Sequence, residues 1–381
     1  MRTLWCWSLV SLTACAPPAF EPGFLFGASV AGFQVDPGCP TLSAEKCEDQ
    51  NSDWYQWVTS GDQLQDLAKD ITFEPLSHGP GFAELYPQDL DRAKADLGLN
   101  ALRLSIEWSR VFPTATDGLT GDALKAAANP DALAYYHAQF AALKAHGMTP
   151  LVTLNHYTLP LWLHDGVACH KDLSTCTKRG WLDRTRAVTE AARYAGFVAK
   201  EFASEVDLWA TENEPFALVL PGYLLPSADR VNPPGLSLKF TEAQQVIVAL
   251  IEAHAAMYDA VKANDPTASV GLVYAMAPVT PKDPSNRLDV RAAQNLFYLY
   301  NTAFLDGVAK GLVDADLDGV PDDATPRGDL VGRMDWLGVN YYTRISIAGT
   351  GSPTFPTFSK LTPSTPPACR LGKTTRQAWS R

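Results

Sequence analysis

Between Thr343 and Arg381 the chain carries no aspartate or glutamate, so no carboxylate chemistry can come from that stretch. No apolar run reaches the roughly 20 residues that a membrane-spanning helix needs. Positive charge is scarce: 31 Lys and Arg stand against 42 Asp and Glu, a net charge of -11. That balance argues against a nucleic-acid partner, since phosphate backbones bind on a basic face. A G-x-G-x-x-G turn is also missing after the first apolar run. The glycines of FGASVAGF, Gly27 and Gly32, have the wrong spacing for a dinucleotide site. No Gly-rich phosphate loop precedes a helix elsewhere. What remains is ordinary globular material, 46% hydrophobic and 19% charged over 381 residues, enough for one large core.

The N-terminus reads as a targeting segment of residues 1–14, with Arg2, an apolar stretch from Leu4 to Leu12, then small residues. Leu12-Thr13-Ala14-Cys15 resembles the bacterial lipobox, in which cleavage precedes a cysteine that then carries lipid. The alternative is a plain secretory signal; both predict export, with membrane contact only through the lipid on Cys15. Among the other cysteines, Cys39 with Cys47 and Cys169 with Cys176 would close short loops in polar, turn-forming stretches. An exported protein tolerates such disulfides. Cys369 is left over.

Along the chain an apolar strand, a loop and an amphipathic helix recur. Strands are predicted over 23–30, 101–108, 149–156, 207–214, 269–276 and 335–342. Helical patterns lie between most of them, and two stop at Gly98 and Gly147. Alternation of this kind means parallel pairing with right-handed crossovers, in a doubly wound sheet or a (β/α)8 barrel. Polar residues gather at the C-terminal ends of the strands: Gln34 just past the first, then Glu107, Asn155, His156, Asn213, Glu214, Asn340 and Tyr342. Convergence at one end of many strands is what a barrel active site requires, so the expected fold is a TIM barrel.

The stretch DLWATENEPF, Asp207–Phe216, places two carboxylates at the end of an apolar strand. Period-2 alternation sends Glu212 and Glu214 to the same side, so strand geometry does not choose between them. Together with FLFGASVAGFQVD, ALRLSIEWSRVFPT, TPLVTLNHYTLPLWL and DWLGVNYYTR, this stretch resembles glycoside hydrolase family 1, the β-glucosidase and β-galactosidase barrels. The likeness runs from about Phe24 to Arg344, with the motifs in order. NHYTLPLWLHD is closer to the archaeal type of member.

The resemblance implies hydrolysis of terminal β-linked sugars, or short oligosaccharides, with retained anomeric configuration and no catalytic cofactor. Carried over by position, Glu214 is the general acid/base and Asn213 bonds the sugar 2-hydroxyl. Gln34 and His156 hold other hydroxyls, and Arg103, Asn340 and Tyr342 surround the nucleophile. The blander readings are a core histidine for His156, loop-satisfying amides for Gln34 and Asn340, and an Arg103–Glu107 ion pair. Trp108, Trp162 and Trp209 read as core.

A retaining glycosidase needs two carboxyl groups about 5 Å apart. In this family the nucleophile ends the seventh strand, and no such residue follows Tyr342. Glu107 is rejected as a substitute, because similar sequences carry Glu there without that role. Residues 15–345 therefore read as an incomplete barrel, about six of eight βα units. Residues 346–381 read as a Pro/Ser/Thr-rich loop and a basic, atypical tail, as if frameshifted or prematurely stopped. The expectation is a β-glycosidase family member whose 381 residues alone are inactive: a non-catalytic sugar-binding fragment or a non-functional product.

One further motif stands apart. DADLDGVPDD spaces Asp314, Asp316 and Asp318 two apart, with Gly319 next and Asp322 beyond. The pattern resembles calcium loops of secreted proteins, and predicts a structural Ca2+ or else a solvated acidic loop. The twelfth position is Thr325 rather than the Glu of a helix-flanked loop.

Overall fold

Six parallel strands form the main sheet: β1 (Gly27–Ser29), β2 (Ala101–Ser105), β3 (Thr149–Asn155), β4 (Leu208–Asn213), β5 (Ser269–Ala275) and, after a short strand β6 (Val279–Pro281), β7 (Trp336–Asn340). In this computed structural model the described residues are 20–60, 75–228, 230–322 and 325–349, together with the backbone of 359–364. The strand order β1-β2-β3-β4-β5-β7 follows the sequence, each pair parallel. A helix lies in each crossover, as parallel pairing requires.

Neighbouring strands lie about 4.8 Å apart. Arg103 on β2 nevertheless reaches over Thr153 of β3 to Asn213 of β4, and Asn340 on β7 reaches across β5 to the same Asn213. Side chains two strands apart meet because the sheet curls into a trough. That is the geometry of part of a barrel. Among the described residues β1 and β7 each keep one unpaired edge, and Phe24, Leu25, Phe26, Leu337 and Val339 beside those edges are exposed.

The outer layer is helical, and the sequence explains where its helices start and stop. Asn129 caps the helix Pro130–Ala145 by accepting from the amide of Asp131 at 3.0 Å, with Pro at the first helical position. Gly147, at φ 61°, turns the chain out of it. The long helix Phe240–Asn264 buries Val246, Leu250 and Met257, and packs against Arg184–Glu201, which buries Tyr194 and Val198. Each such aliphatic or aromatic side chain contributes roughly 1.5–3 kcal/mol when fully buried. Trp108, Trp162 and Trp209 are all in this core.

All six predicted strands run long at the C-terminal end, and those over 23–30, 207–214 and 335–342 also at the N-terminal end. β1 covers only 27–29 of the predicted 23–30, since Phe24–Phe26 precede its pairing with β2. A second small sheet was not predicted: β6 pairs with β8 (Arg344–Ala348), which pairs antiparallel with β9 (Ser359–Ser364). β8 crosses the boundary expected after residue 345 because β6 offers it an edge.

Candidate active site

Glu214 directly follows β4 and caps the start of the helix Pro215–Val219. Its backbone sits at φ 49°, ψ 58°, the left-handed region that non-glycine residues rarely occupy. The side chain is 6% exposed yet fully engaged. Tyr157 donates its hydroxyl to Oε2 at 2.7 Å. On Oε1, Asn340 donates its amide at 2.5 Å and Tyr342 its hydroxyl at 3.0 Å. Tyr157, at φ 75°, is a second strained residue, and its hydroxyl also accepts from Asn213 at 3.0 Å. Arg103 donates to Asn213 Oδ1 at 2.5 Å and to Thr153 at 2.9 Å. Four strands thus deliver one connected set of polar groups around a single carboxylate.

His156 stands against Tyr157, ring centroids 5.0 Å apart and edge to face. Burial, and then the charge of Arg103, push its imidazole down to about 3, so the ring is neutral at physiological pH. Its Nδ1 is buried and without a partner. Gln34 is exposed on the short helix Gly32–Val35 that follows β1.

The structure separates the two glutamates that strand periodicity left equivalent. A register shift between Ala210 and Asn213 breaks the alternation along β4, and Glu214 lies beyond the strand. Glu212 is 1% exposed and neither of its carboxyl oxygens has a partner. Burial alone pushes its pKa well above the usual range.

Arg103, Asn340 and Tyr342 were expected around a second carboxylate. In the structure Arg103 and Asn340 reach Asn213, and Asn340 and Tyr342 reach Glu214. Arg103 and Asn340 are half-buried there, and Tyr342 is exposed. The considered Arg103–Glu107 pair does not form: Glu107 is held by the hydroxyls of Ser105 at 2.6 Å and Thr158 at 2.5 Å. Two features escaped the sequence reading. Tyr157 touches Glu214, although it stands inside the quoted NHYTLPLWLHD. From the same motif, His164 pairs with buried Asp53 at 2.7 Å, which also accepts from the Leu159 amide.

Beside the site, a cavity of about 380 Å³ has walls that include Phe216, Leu220, Leu224, Leu299, Tyr300 and Ile345. Phe216 is two residues past Glu214 and packs edge to face on Tyr300, centroids 5.5 Å apart. Tyr300 is near enough to Glu214 for that charge to help raise its pKa, after burial.

Away from the site, the sulfurs of Cys39 and Cys47 are bonded, as are those of Cys169 and Cys176. Cys15 and Cys369 lie outside the described residues. Carboxylate oxygens of Asp314, Asp316 and Asp318 all lie within 4.8 Å of one another. Asp314 is buried and accepts from the Tyr298 hydroxyl and the Gly319 amide. Asp322 turns aside to accept from the Ala315 amide.

Known proteins show the same architecture. The sequence model of glycosyl hydrolase family 1 matches residues 17–363. A β-galactosidase of Pyrococcus woesei is 34% identical over 376 residues, which cover 90% of this chain and 71% of that protein. The β-galactosidase of Sulfolobus acidocaldarius is 33% identical, covering 89% and 69%. Among solved structures, the β-glycosidase of Thermosphaera aggregans superimposes with a TM-score of 0.75 at 29% identity, covering 87% of this chain and 68% of that one. The β-glucosidase of Pyrococcus furiosus gives 0.72 at 30%, covering 91% and 68%. Over most of its length, then, this chain belongs to glycosyl hydrolase family 1 and carries the parallel-strand architecture of that family's TIM barrel.

Proposed function

We propose that the chain carries the acid/base half of a retaining β-glycosidase site, with Glu214 as acid and then base. One observation supports this above the rest: a single buried carboxylate at a strand end, in strained backbone, ringed by Tyr157, Asn340, Tyr342 and Asn213. In the first step Glu214 gives its proton to the glycosidic oxygen as the bond to the anomeric carbon breaks. A nucleophilic carboxylate takes that carbon as an ester. In the second step Glu214 takes a proton from water, which attacks the anomeric carbon and frees the ester. Asn213 would bond the 2-hydroxyl, with Gln34 and neutral His156 on other hydroxyls. The sugar is terminal and β-linked, glucose or galactose by the names of the relatives. The apolar cavity beyond Phe216 supports an apolar leaving group.

The nucleophile is not among these 381 residues in this reading. Glu107 and Glu212 are buried and either committed to hydroxyls or isolated. A polypeptide of these residues alone therefore binds sugar without turning it over. Titration with glucose, galactose and their nitrophenyl β-glycosides tests this, since binding without nitrophenol release is the expected result. Absence of binding would refute the sugar site.

Two further proposals accompany this one. We propose export with lipid on Cys15, supported by the apolar N-terminal run and the two disulfides, which persist in oxidising compartments. Mass spectrometry of the membrane fraction tests it. We also propose that Asp314, Asp316 and Asp318 hold a structural Ca2+, a reading supported by their convergence.

A further inference from the structure

Glu107 lies two residues past β2, is 1% exposed and takes no part in the proposed chemistry. Its two oxygens face different loops. Oε1 accepts from the Ser105 hydroxyl at 2.6 Å, and that same oxygen of Ser105 accepts from the backbone amide of Gly32 at 2.8 Å. Gly32 opens the short helix that carries Gln34. Oε2 accepts from the Thr158 hydroxyl at 2.5 Å. Thr158 directly follows Tyr157, the donor to Glu214, and stands two residues past His156.

The fit on the Gln34 side is tight. A Cβ added at Gly32 would come within 2.8 Å of Glu107 Oε1 and 2.9 Å of its Cγ. The first loop is therefore seated on the Glu107 side chain as well as hydrogen-bonded through Ser105. Glu107 itself cannot drift, because its backbone amide donates to the buried hydroxyl of Tyr136 at 2.8 Å. Asn155, at the end of β3, holds the second loop by donating to the Thr158 carbonyl at 3.0 Å.

We propose that Glu107 is a positioning residue: its carboxyl group ties the Gln34 loop to the His156–Tyr157 loop and so fixes the separation of the two sides of the sugar site. The inference rests on the reading of Gln34 and His156 as sugar-contacting residues. It gives a role to a buried carboxyl that is neither nucleophile nor acid. Without its two acceptor oxygens, the Ser105 and Thr158 hydroxyls must find partners elsewhere and each loop is free to shift. A shift of about 1 Å is enough to spoil oriented binding.

The test uses the 381-residue chain and the sugar mimic 1-deoxynojirimycin with its galacto epimer, followed by tryptophan fluorescence. Glu107→Leu keeps the bulk and removes both acceptors, and should weaken binding about tenfold or more. Glu107→Gln keeps one carbonyl acceptor and should stay within about threefold. Leu143→Ala, a core truncation in the helix Pro130–Ala145, should lower the melting temperature while leaving the affinity of the folded protein unchanged. That control separates positioning from stability. Should Glu107→Leu fail to fold, Ser105→Ala and Thr158→Val each cut one end of the tie, and each must weaken binding. Unchanged affinity in Glu107→Leu, or in both single-end variants, overturns the inference while the sugar site stands. Failure of the unsubstituted chain to bind either mimic refutes the sugar site and the inference together.

Discussion

Glu212 gives the sharpest quantitative test of how this strand is built. Its carboxyl group is buried without a single hydrogen-bond partner, and such a group costs about 1–3 kcal/mol relative to its hydrated state. Glu212→Leu removes that cost at similar volume, so the variant should be more stable by about 2 kcal/mol where the acid is neutral in both states. The gap should then widen with pH. Burial raises the folded pKa well above the ordinary glutamate value of 4.5, so the folded chain keeps a proton that the unfolded chain loses. The stability this group allows is fully present below pH 4.5 and declines as pH rises toward the folded pKa, by about 1.4 kcal/mol per unit. Leucine does not titrate. Urea unfolding at pH 4.5, 6 and 7.5 reads both effects. At a slope of about 2 kcal/mol/M, the midpoint difference should begin near 1 M and grow. A less stable variant, or a difference that ignores pH, would show that Glu212 has a partner in the folded chain.

Other consequences are separable from that one. Glu107 and Asp36 are raised by burial to about 7 and about 6, against the opposing pull of Ser105 and Thr158 on the first and Arg110 on the second. Their contribution to stability is therefore present at pH 4 and lost as pH rises through 6 to 7, and Glu107→Gln should flatten the profile measured by thermal melting. Reducing the disulfides, whose sequence separations are 8 and 7, should cost about 2–3 kcal/mol each by loop entropy, read as a lower melting temperature in reductant. Millimolar calcium should raise the melting temperature and chelator should lower it, with both responses absent in Asp314→Asn. A calcium-independent midpoint would show that the loop is held by Tyr298 and its own amides.

The sequence made much of this legible because burial leaves a strong trace in parallel strands. The apolar runs around Ala101–Ser105, Thr149–Asn155 and Ser269–Ala275 are covered on both faces, and all three pair as predicted. β6 was invisible: three residues ending in Pro281 carry no periodicity, and only pairing with β8 makes them a strand. The equivalence of Glu212 and Glu214 failed for a related reason. Period-2 reasoning assumes unbroken alternation, whereas a register shift and a left-handed residue intervene. Tyr157 was legible in type but not in role, since its φ of 75° redirects the side chain toward Glu214. The Asp53–His164 pair joins residues 111 apart, a contact that only the fold creates.

Glu214 is proposed as one half of a carboxylate pair, with no nucleophilic partner among these residues. The direct measurement is nitrophenol release from nitrophenyl β-glucoside and β-galactoside by the folded 381-residue chain, beside its Glu214→Ala variant. The expected result is that both bind sugar mimics and that the unsubstituted chain releases no more nitrophenol than the variant. Turnover that the Glu214→Ala substitution abolishes would contradict it, and would place a working nucleophile within the chain.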